Sequence, residues 1–456
     1  MTEASQMTKT NERGVALASY IAGAPDRTYP TEVVHEARRA LVDFLGVTIV
    51  AAFDETVMPV RRTAERWHAS GKSRIVLGGT TTPALAALIN ATATHAMDYD
   101  DVHYLGAGHP GGPCWSTAIA VAQEIGASDA LALNAFIAGF EVMARLGGGG
   151  VPGVGRSLQR KGFHPTSVVG RMGAAAVAST LYGLDGQRAL NALSNTATTA
   201  GGLVGSFGTH GKPFHAGKAA MDGILAADLA QDGYIGSPRL FETESGWLDA
   251  FIQDRSVEVP PLDFEERYEL LRNGYKLFAS CRATHASSQT AQQLAGKIAG
   301  RQIEKVTARI HPGAFVTAGN LNPTTPLEAK FSVPFCIAMA LNGYRLAWSD
   351  FSEKVFADKN VTDIVPKVTL VPVDGQSPAS AFIEVTLSEG ETLHAETLII
   401  LGHPENPVSD TGLTEKFNSL VEPVLGAGRA ASLLDKAWRF GEAGTLDQID
   451  QLLAGA

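Results

Sequence analysis

The feature that most constrains this chain is a long stretch of small-residue helical patterning from Pro30 to Gly233. Apolar residues recur at helix spacing, as in Val34, Ala37, Leu41, Phe44 and Leu45 behind the Pro30-Thr31 start. Between them stand Ala, Gly, Ser and Thr more often than charge, as in Gly173-Ala174-Ala175-Ala176-Val177-Ala178-Ser179-Thr180. Such faces let neighbouring backbones approach closely, which favours a compact bundle over a coiled coil. The pattern predicts helices over 82–94, 116–126, 130–146, 168–183, 189–200 and 218–232.

After Gly246 the character changes. Pro260-Pro261 within 257–264 reads as a linker. A helix is expected over 289–300, a strand over 305–311, a helix over 329–342, then strands over 367–372, 381–387 and 391–401. Gly402-His403-Pro404 interrupts this region, and 413–453 returns to helix. The expected fold is therefore mainly α. An all-helical bundle domain (15–263, completed by 408–456) carries a smaller α+β lid domain (264–407) inserted before the C-terminal helices. A chain of 456 residues also exceeds what one core usually organises, roughly 250–300 residues.

Composition narrows the function. Acidic residues outnumber basic ones 47 to 37, for a net charge of −10, and no Lys/Arg-rich run occurs. Nucleic acid and acidic membrane surfaces are poor partners for such a chain. Met1 to Gly14 is polar, and the apolar run 40–52 contains Asp43 and is too short to span a bilayer. A cytoplasmic location is expected. Cys114, Cys281 and Cys336 are scattered, so no disulfide framework, zinc ribbon or iron–sulfur cluster is implied.

A second pattern points to a site. A His or Lys next to Pro stands at three helix thresholds: His109-Pro110-Gly111, Phe163-His164-Pro165-Thr166 and Gly211-Lys212-Pro213-Phe214-His215. Pro suits the first turn of a helix, and the free N–H groups there favour an anion. Three such thresholds suit a ligand with several carboxylates. His95 to His103 adds a dense set of acids and imidazoles, with Asp98, Asp100, Asp101 and His103. A carboxylate orienting an imidazole acid/base is the functional reading, and a solvated acidic loop the bland one. The spacing matches neither His-x-x-x-His nor a calcium loop, so no metal is expected.

His164 weighs about evenly between a local hydrogen-bonding residue and a base kept neutral at a helix start. Lys212, flanked by Gly and Pro, is expected in a loop, off any solvated helix face, and able to pair with a substrate carboxylate. Thr166 and His215 lie within the same motifs. Arg282 could clamp a carboxylate and His285 could reach the cleft, although on pattern alone Cys281-Arg282-Ala283-Thr284-His285 reads as structural. Gly147 to Gly153 lacks the Lys-Ser/Thr of a phosphate loop and reads as a flexible connection.

These segments resemble the MmgE/PrpD family, which contains 2-methylcitrate dehydratase, cis-aconitate decarboxylase and iminodisuccinate epimerase. The likeness is carried by His95-Ala96-Met97-Asp98-Tyr99-Asp100-Asp101 with His109-Pro110-Gly111, and by Gly162-Phe163-His164-Pro165-Thr166. Gly208-Thr209-His210-Gly211-Lys212-Pro213-Phe214-His215-Ala216-Gly217, Cys281 to His285 and Glu328-Ala329-Lys330-Phe331-Ser332 continue it. The resemblance implies a helical domain with an α+β lid, a homodimer, a cleft between the domains, and no metal or organic cofactor. It also implies active-site positions at Asp98, His109, His164 and Lys212, with His285 from the lid side. Asp101, His103, Thr166, His215, Arg282 and His285 are expected around a small polycarboxylate substrate.

Two departures stand out. Val102 occupies a position where family members often carry Thr, and Thr317 falls about where the decarboxylase branch has Tyr. The second counts against decarboxylation. The expected activity is a cofactor-independent lyase of the 2-methylcitrate dehydratase type. An epimerase of a dicarboxylate and a cis-aconitate decarboxylase-like enzyme are the alternatives. A non-catalytic carboxylate-binding protein and a metal-dependent hydrolase are more remote.

Overall fold

A computed structural model describes residues 12–106, 108–148, 154–252, 262, 264 and 267–455. Residues 149–153 of the glycine run and 257–261 and 263 of the Pro-Pro linker lie outside them.

The fold is mainly α, as the patterning predicts. The Thr31–Val50 helix buries Val33, Ala37, Leu41, Phe44 and Leu45 along one face. Helices Pro83–Ala96, Gly111–Ile125, Asp129–Gly147, Pro165–Leu181, Gly186–Ala197 and Gly211–Gln231 complete the bundle. Every residue of Pro165–Leu181 is buried. The small residues act as anticipated: a Cβ on Gly217 would collide with Thr92 and the Leu88 carbonyl, and one on Gly223 with Ala174. The Asp129–Gly147 helix is long and apolar enough to cross a membrane, but 83% of its apolar window is buried in the bundle, where it serves as a core helix.

Several helices begin earlier than expected. Gly111, Pro165 and Gly211 open theirs, so the Pro-containing motifs lie at or inside the first turns. Lys212 is consequently a helical, buried residue and not the loop lysine that its Gly-Pro setting suggested.

The first core runs from Leu17 to Ala279 and resumes from Val408 to Leu453. A second core runs from Phe278 to Leu387. It packs the Arg282–Ile298 and Val333–Leu341 helices on a four-stranded sheet, in the order 368–372, 303–310, 381–387, 392–397. The 303–310 strand is parallel to 368–372, with Val306 opposite Val368, and antiparallel to 381–387. Along 381–387 alternate residues are buried, which matches a sheet with one covered face.

The helix expected over 329–342 is split into Pro326–Ala329 and Val333–Leu341. Pro334 has no N–H to bond the carbonyl four residues back, so it suits a first turn and not a helix interior, and Ser332 restarts the helix by accepting from the Phe335 N–H at 3.2 Å. The C-terminal stretch is likewise three helices, Asp410–Leu425, Ala427–Trp438 and Thr445–Leu453, parted by Gly426 and Gly444 in positive-φ backbone. The first of these packs on Thr31–Val50, and Asp129 accepts from the Gly444 N–H and the Thr445 hydroxyl at 2.9 and 2.7 Å at the start of the last.

Candidate active site

The three helix thresholds converge. The Pro83–Ala96 helix ends at the Met97 cap, and Asp98 follows with φ of 50°, a left-handed conformation that costs a non-glycine residue about 1 kcal/mol or more. This turn aims the Asp98 carboxylate at Lys212, 2.8 Å away in the first turn of the Gly211–Gln231 helix. Lys276 pairs with the same carboxylate and also donates to the Asp98 carbonyl at 2.9 Å. All three side chains are buried. Burial alone would raise the Asp98 carboxyl, but Lys212 and Lys276 hold it well below the usual carboxylate range. The rings of Phe207 and Phe331 stand 5.3 and 5.2 Å from the Lys212 ammonium.

The imidazoles form a second layer. His164 caps its helix, and its Nδ1 lies 3.1 Å from Nδ1 of His215, so one ring donates there and the other accepts. The His164 ring stacks at 5.6 Å on His95, which lies 4.6 Å from His109. Asp100 bridges the last two: one oxygen is 2.8 Å from His95 Nδ1, the other 3.4 Å from His109 Nδ1. His109 Nδ1 also lies 2.7 Å from the Asp101 carbonyl, and the His109 N–H donates to the Thr166 hydroxyl at 3.1 Å.

Burial is the main cause that depresses these imidazoles. His109 and His164 fall well below the ordinary range, helped by neighbouring imidazoles and Lys212. His215 is lowered to about 4 and His285 to about 3. The dry surroundings of His164 act in the same direction as the helix start invoked for it. Nε2 of His95 and the second oxygen of Asp98 are buried without a protein partner among the described residues. Both are free to meet a ligand. The ligand atoms of His95, Asp100 and His109 lie within 4.8 Å of one another, a set that by composition could hold a divalent cation. The 2.8 Å contact from His95 to Asp100 matches a hydrogen bond that orients the ring.

Other expected residues are placed differently. Both Asp101 oxygens are committed, one to the Gly111 N–H and one to the Asn273 amide, each at 2.9 Å. His103 pairs with Glu269 at 3.0 Å and packs on Phe140. Arg282 lies over the Tyr104 ring at 5.1 Å. His285 Nε2 contacts the Ser280 carbonyl at 3.2 Å, and the ring feels the charges of Lys276 and Asp98. Thr317 sits on the short Pro312–Ala318 helix, 3.5 Å from the Gln159 amide. His95, Asp100, Lys276 and Lys330 were not singled out from sequence. His95, Asp100 and Lys330 stood inside noted segments, whereas Lys276 carries no local signal. A separate cavity of about 350 Å³, lined by Tyr99, Tyr344, Arg345, Trp348, Asp350 and Ser419, contains none of the clustered imidazoles or lysines.

Comparison with known families matches the MmgE/PrpD N-terminal domain over residues 15–260 and the MmgE/PrpD C-terminal domain over residues 278–439. The chain belongs to the MmgE/PrpD family. Its relatives include cis-aconitate decarboxylase of Homo sapiens, 28% identical over 88% of this chain and 86% of the relative. The Mus musculus enzyme of the same name is 26% identical over 93% and 89%. The cis-aconitate decarboxylase-like protein oryM of Aspergillus oryzae is 22% identical over 96% of both chains. These likenesses support a lyase-type enzyme for this MmgE/PrpD protein.

Proposed function

We propose that this protein is a cofactor-independent lyase that acts on a small di- or tricarboxylate by proton abstraction and elimination, most simply as a hydro-lyase of the 2-methylcitrate dehydratase kind. The observation that carries this reading is the dry cluster in which neutral imidazoles face the Asp98–Lys212–Lys276 ion group. A neutral imidazole can take a proton from the carbon beside a carboxylate, a contribution of roughly 10²–10⁴-fold. Negative charge then develops on that carboxylate, where the Lys212 ammonium stabilises it in a water-poor site. The electron pair forms the carbon–carbon double bond as the β-hydroxyl leaves as water, taking the abstracted proton that the first, now cationic, imidazole passes on through a second. His109 and His164 fill these two roles in an order that the geometry leaves open. Asp100 orients His95 and His109, and His215 orients His164.

Decarboxylation of cis-aconitate is a second reading, favoured by the activity named for the relatives that match most of the chain. Thr317 in place of a Tyr weighs against it. One experiment tests both: proton NMR in D₂O with 2-methylcitrate, citrate, cis-aconitate and an amino-diacid panel. Water loss from one acid supports the hydro-lyase, and CO₂ release from cis-aconitate supports the decarboxylase. Deuterium uptake without net conversion points to an epimerase. Silence across the panel refutes the lyase reading.

A further inference from the structure

Three consecutive carbonyls follow the Pro83–Ala96 helix, and each receives a different buried lysine. Lys330 donates to the Met97 carbonyl at 3.1 Å, Lys276 to Asp98 at 2.9 Å, and Lys416 to Tyr99 at 2.7 Å. The three come from separate parts of the chain. Lys330 follows the Pro326–Ala329 helix, Lys276 lies where the two cores meet, and Lys416 belongs to the Asp410–Leu425 helix.

Carbonyls at a helix C-terminus lack intrahelical partners, and buried ones must find donors. A backbone N–H, a hydroxyl or an amide would serve at less desolvation cost than an ammonium. Two of the lysines have carboxylate partners: Lys276 pairs with Asp98, and Lys416 pairs with Asp43 at 2.6 Å. Lys330 has no ion pair among the described residues, and its ammonium lies 5.6 Å from the Phe351 ring. Burial lowers it to about 8, with Asp98 and Asp54 opposing that shift and Lys212 and Lys276 adding to it. A cation retained there against its desolvation is poorly explained by stability.

We infer that Lys330, Lys276 and Lys416 form a clamp on the Met97-Asp98-Tyr99 turn, and that Lys330 is a positioning residue that keeps the Asp98 carboxylate aimed at Lys212. The turn needs a clamp because Asp98 is in left-handed backbone. A relaxed turn would carry the carboxylate away from the ammonium that it orients. This inference rests on the lyase reading for its catalytic part only; the clamp itself is a property of the turn.

The test is Lys330→Met, an unbranched replacement that leaves no buried carboxylate unpaired. Hydrogen exchange of the peptide spanning 97–101 is measured beside turnover and melting temperature. The clamp predicts exchange at least tenfold faster, kcat/KM at least tenfold lower and a melting temperature unchanged or higher, since a desolvated charge has been removed. In a Lys212→Ala background the further loss on adding Lys330→Met should shrink to less than threefold. For Lys416, the pair Asp43→Asn/Lys416→Met removes both charges together and should also speed exchange over 97–101.

Unchanged exchange in both variants overturns the clamp, whatever the protein acts on. Faster exchange with wild-type turnover overturns the positioning role, as does a full additional loss in the Lys212→Ala background. If wild type converts no polycarboxylate, the lyase reading fails, and faster exchange alone still supports the clamp.

Discussion

Replacing Lys212 with Met separates the electrostatic role of this residue from any role as a strut. Met is one atom shorter but keeps an unbranched apolar stem beside Phe207 and Phe331, and the change removes the ammonium with its charge and its donors. At 2.8 Å from Asp98, the gross attraction at an effective dielectric near 20 is about 6 kcal/mol. Much of that is offset, because a buried ammonium forfeits several kcal/mol of hydration. Asp98 also keeps Lys276, so no uncompensated carboxylate is left behind. The net change in stability should therefore be small, about 0–3 kcal/mol by the range for hydrogen bonds to charged groups. In a chain of this size that lowers the melting temperature by no more than roughly 6 °C.

Activity should respond far more. Losing a preorganised charge aimed at a developing anion costs about 10²–10³ in rate. Scanning fluorimetry gives the first quantity, and NMR-monitored turnover of the converted acid gives the second. A variant within about threefold of wild-type kcat/KM would refute the assignment, since that is less than 1 kcal/mol of transition-state stabilisation. A fall in melting temperature beyond about 10 °C, well outside that ceiling, would show instead that Lys212 is mainly a structural member.

Further outcomes follow from burial. Gly223→Val would drive a side chain into Ala174, and should cost about 1–3 kcal/mol or more by overpacking, read as a lower urea midpoint. Lys416→Met leaves Asp43 buried and unpaired, and should cost about 3–5 kcal/mol; adding Asp43→Asn should recover part of the lost melting temperature. The His215 imidazole titrates near 4 in the fold and near 6.5 when unfolded. The unfolded chain thus binds more protons between those values, and stability should fall as pH drops from 6.5 towards 4. In His215→Phe that slope should shrink in pH-dependent melting curves; an unchanged slope would assign it to other buried groups.

The bundle was legible because its information is local. A helix such as Pro165–Leu181, lined with Ala, Gly and Ser, declares both its period and its tight neighbours. His109, His164 and Lys212 were legible for a related reason, since each stands beside a proline at a helix start. Lys276 and Lys416 were not, and Lys330 was noted only as part of a resembling segment, because what they bind is a carbonyl distant in the chain, and a lone lysine usually marks solvent. His103 and Asp101 have partners that their own segment does not announce. Their segment is dense in acids and imidazoles, yet Glu269 and Asn273 engage them from another part of the chain. No spacing within 95–109 distinguishes them from Asp98 and His109.

The order of the cores has a consequence for how the protein is born. Buried members of the first core extend to Ala279 and then cease until Val408. A ribosome adding 5–20 residues per second takes roughly 6–26 s to cross that gap. Throughout that interval the face of the Thr31–Val50 helix that receives Phe417 and Leu420 beside Gly46 has no cover. Chains stalled or truncated before Val408 should thus leave the ribosome with sticky, unfinished bundles, which makes the last helices a checkpoint for productive release.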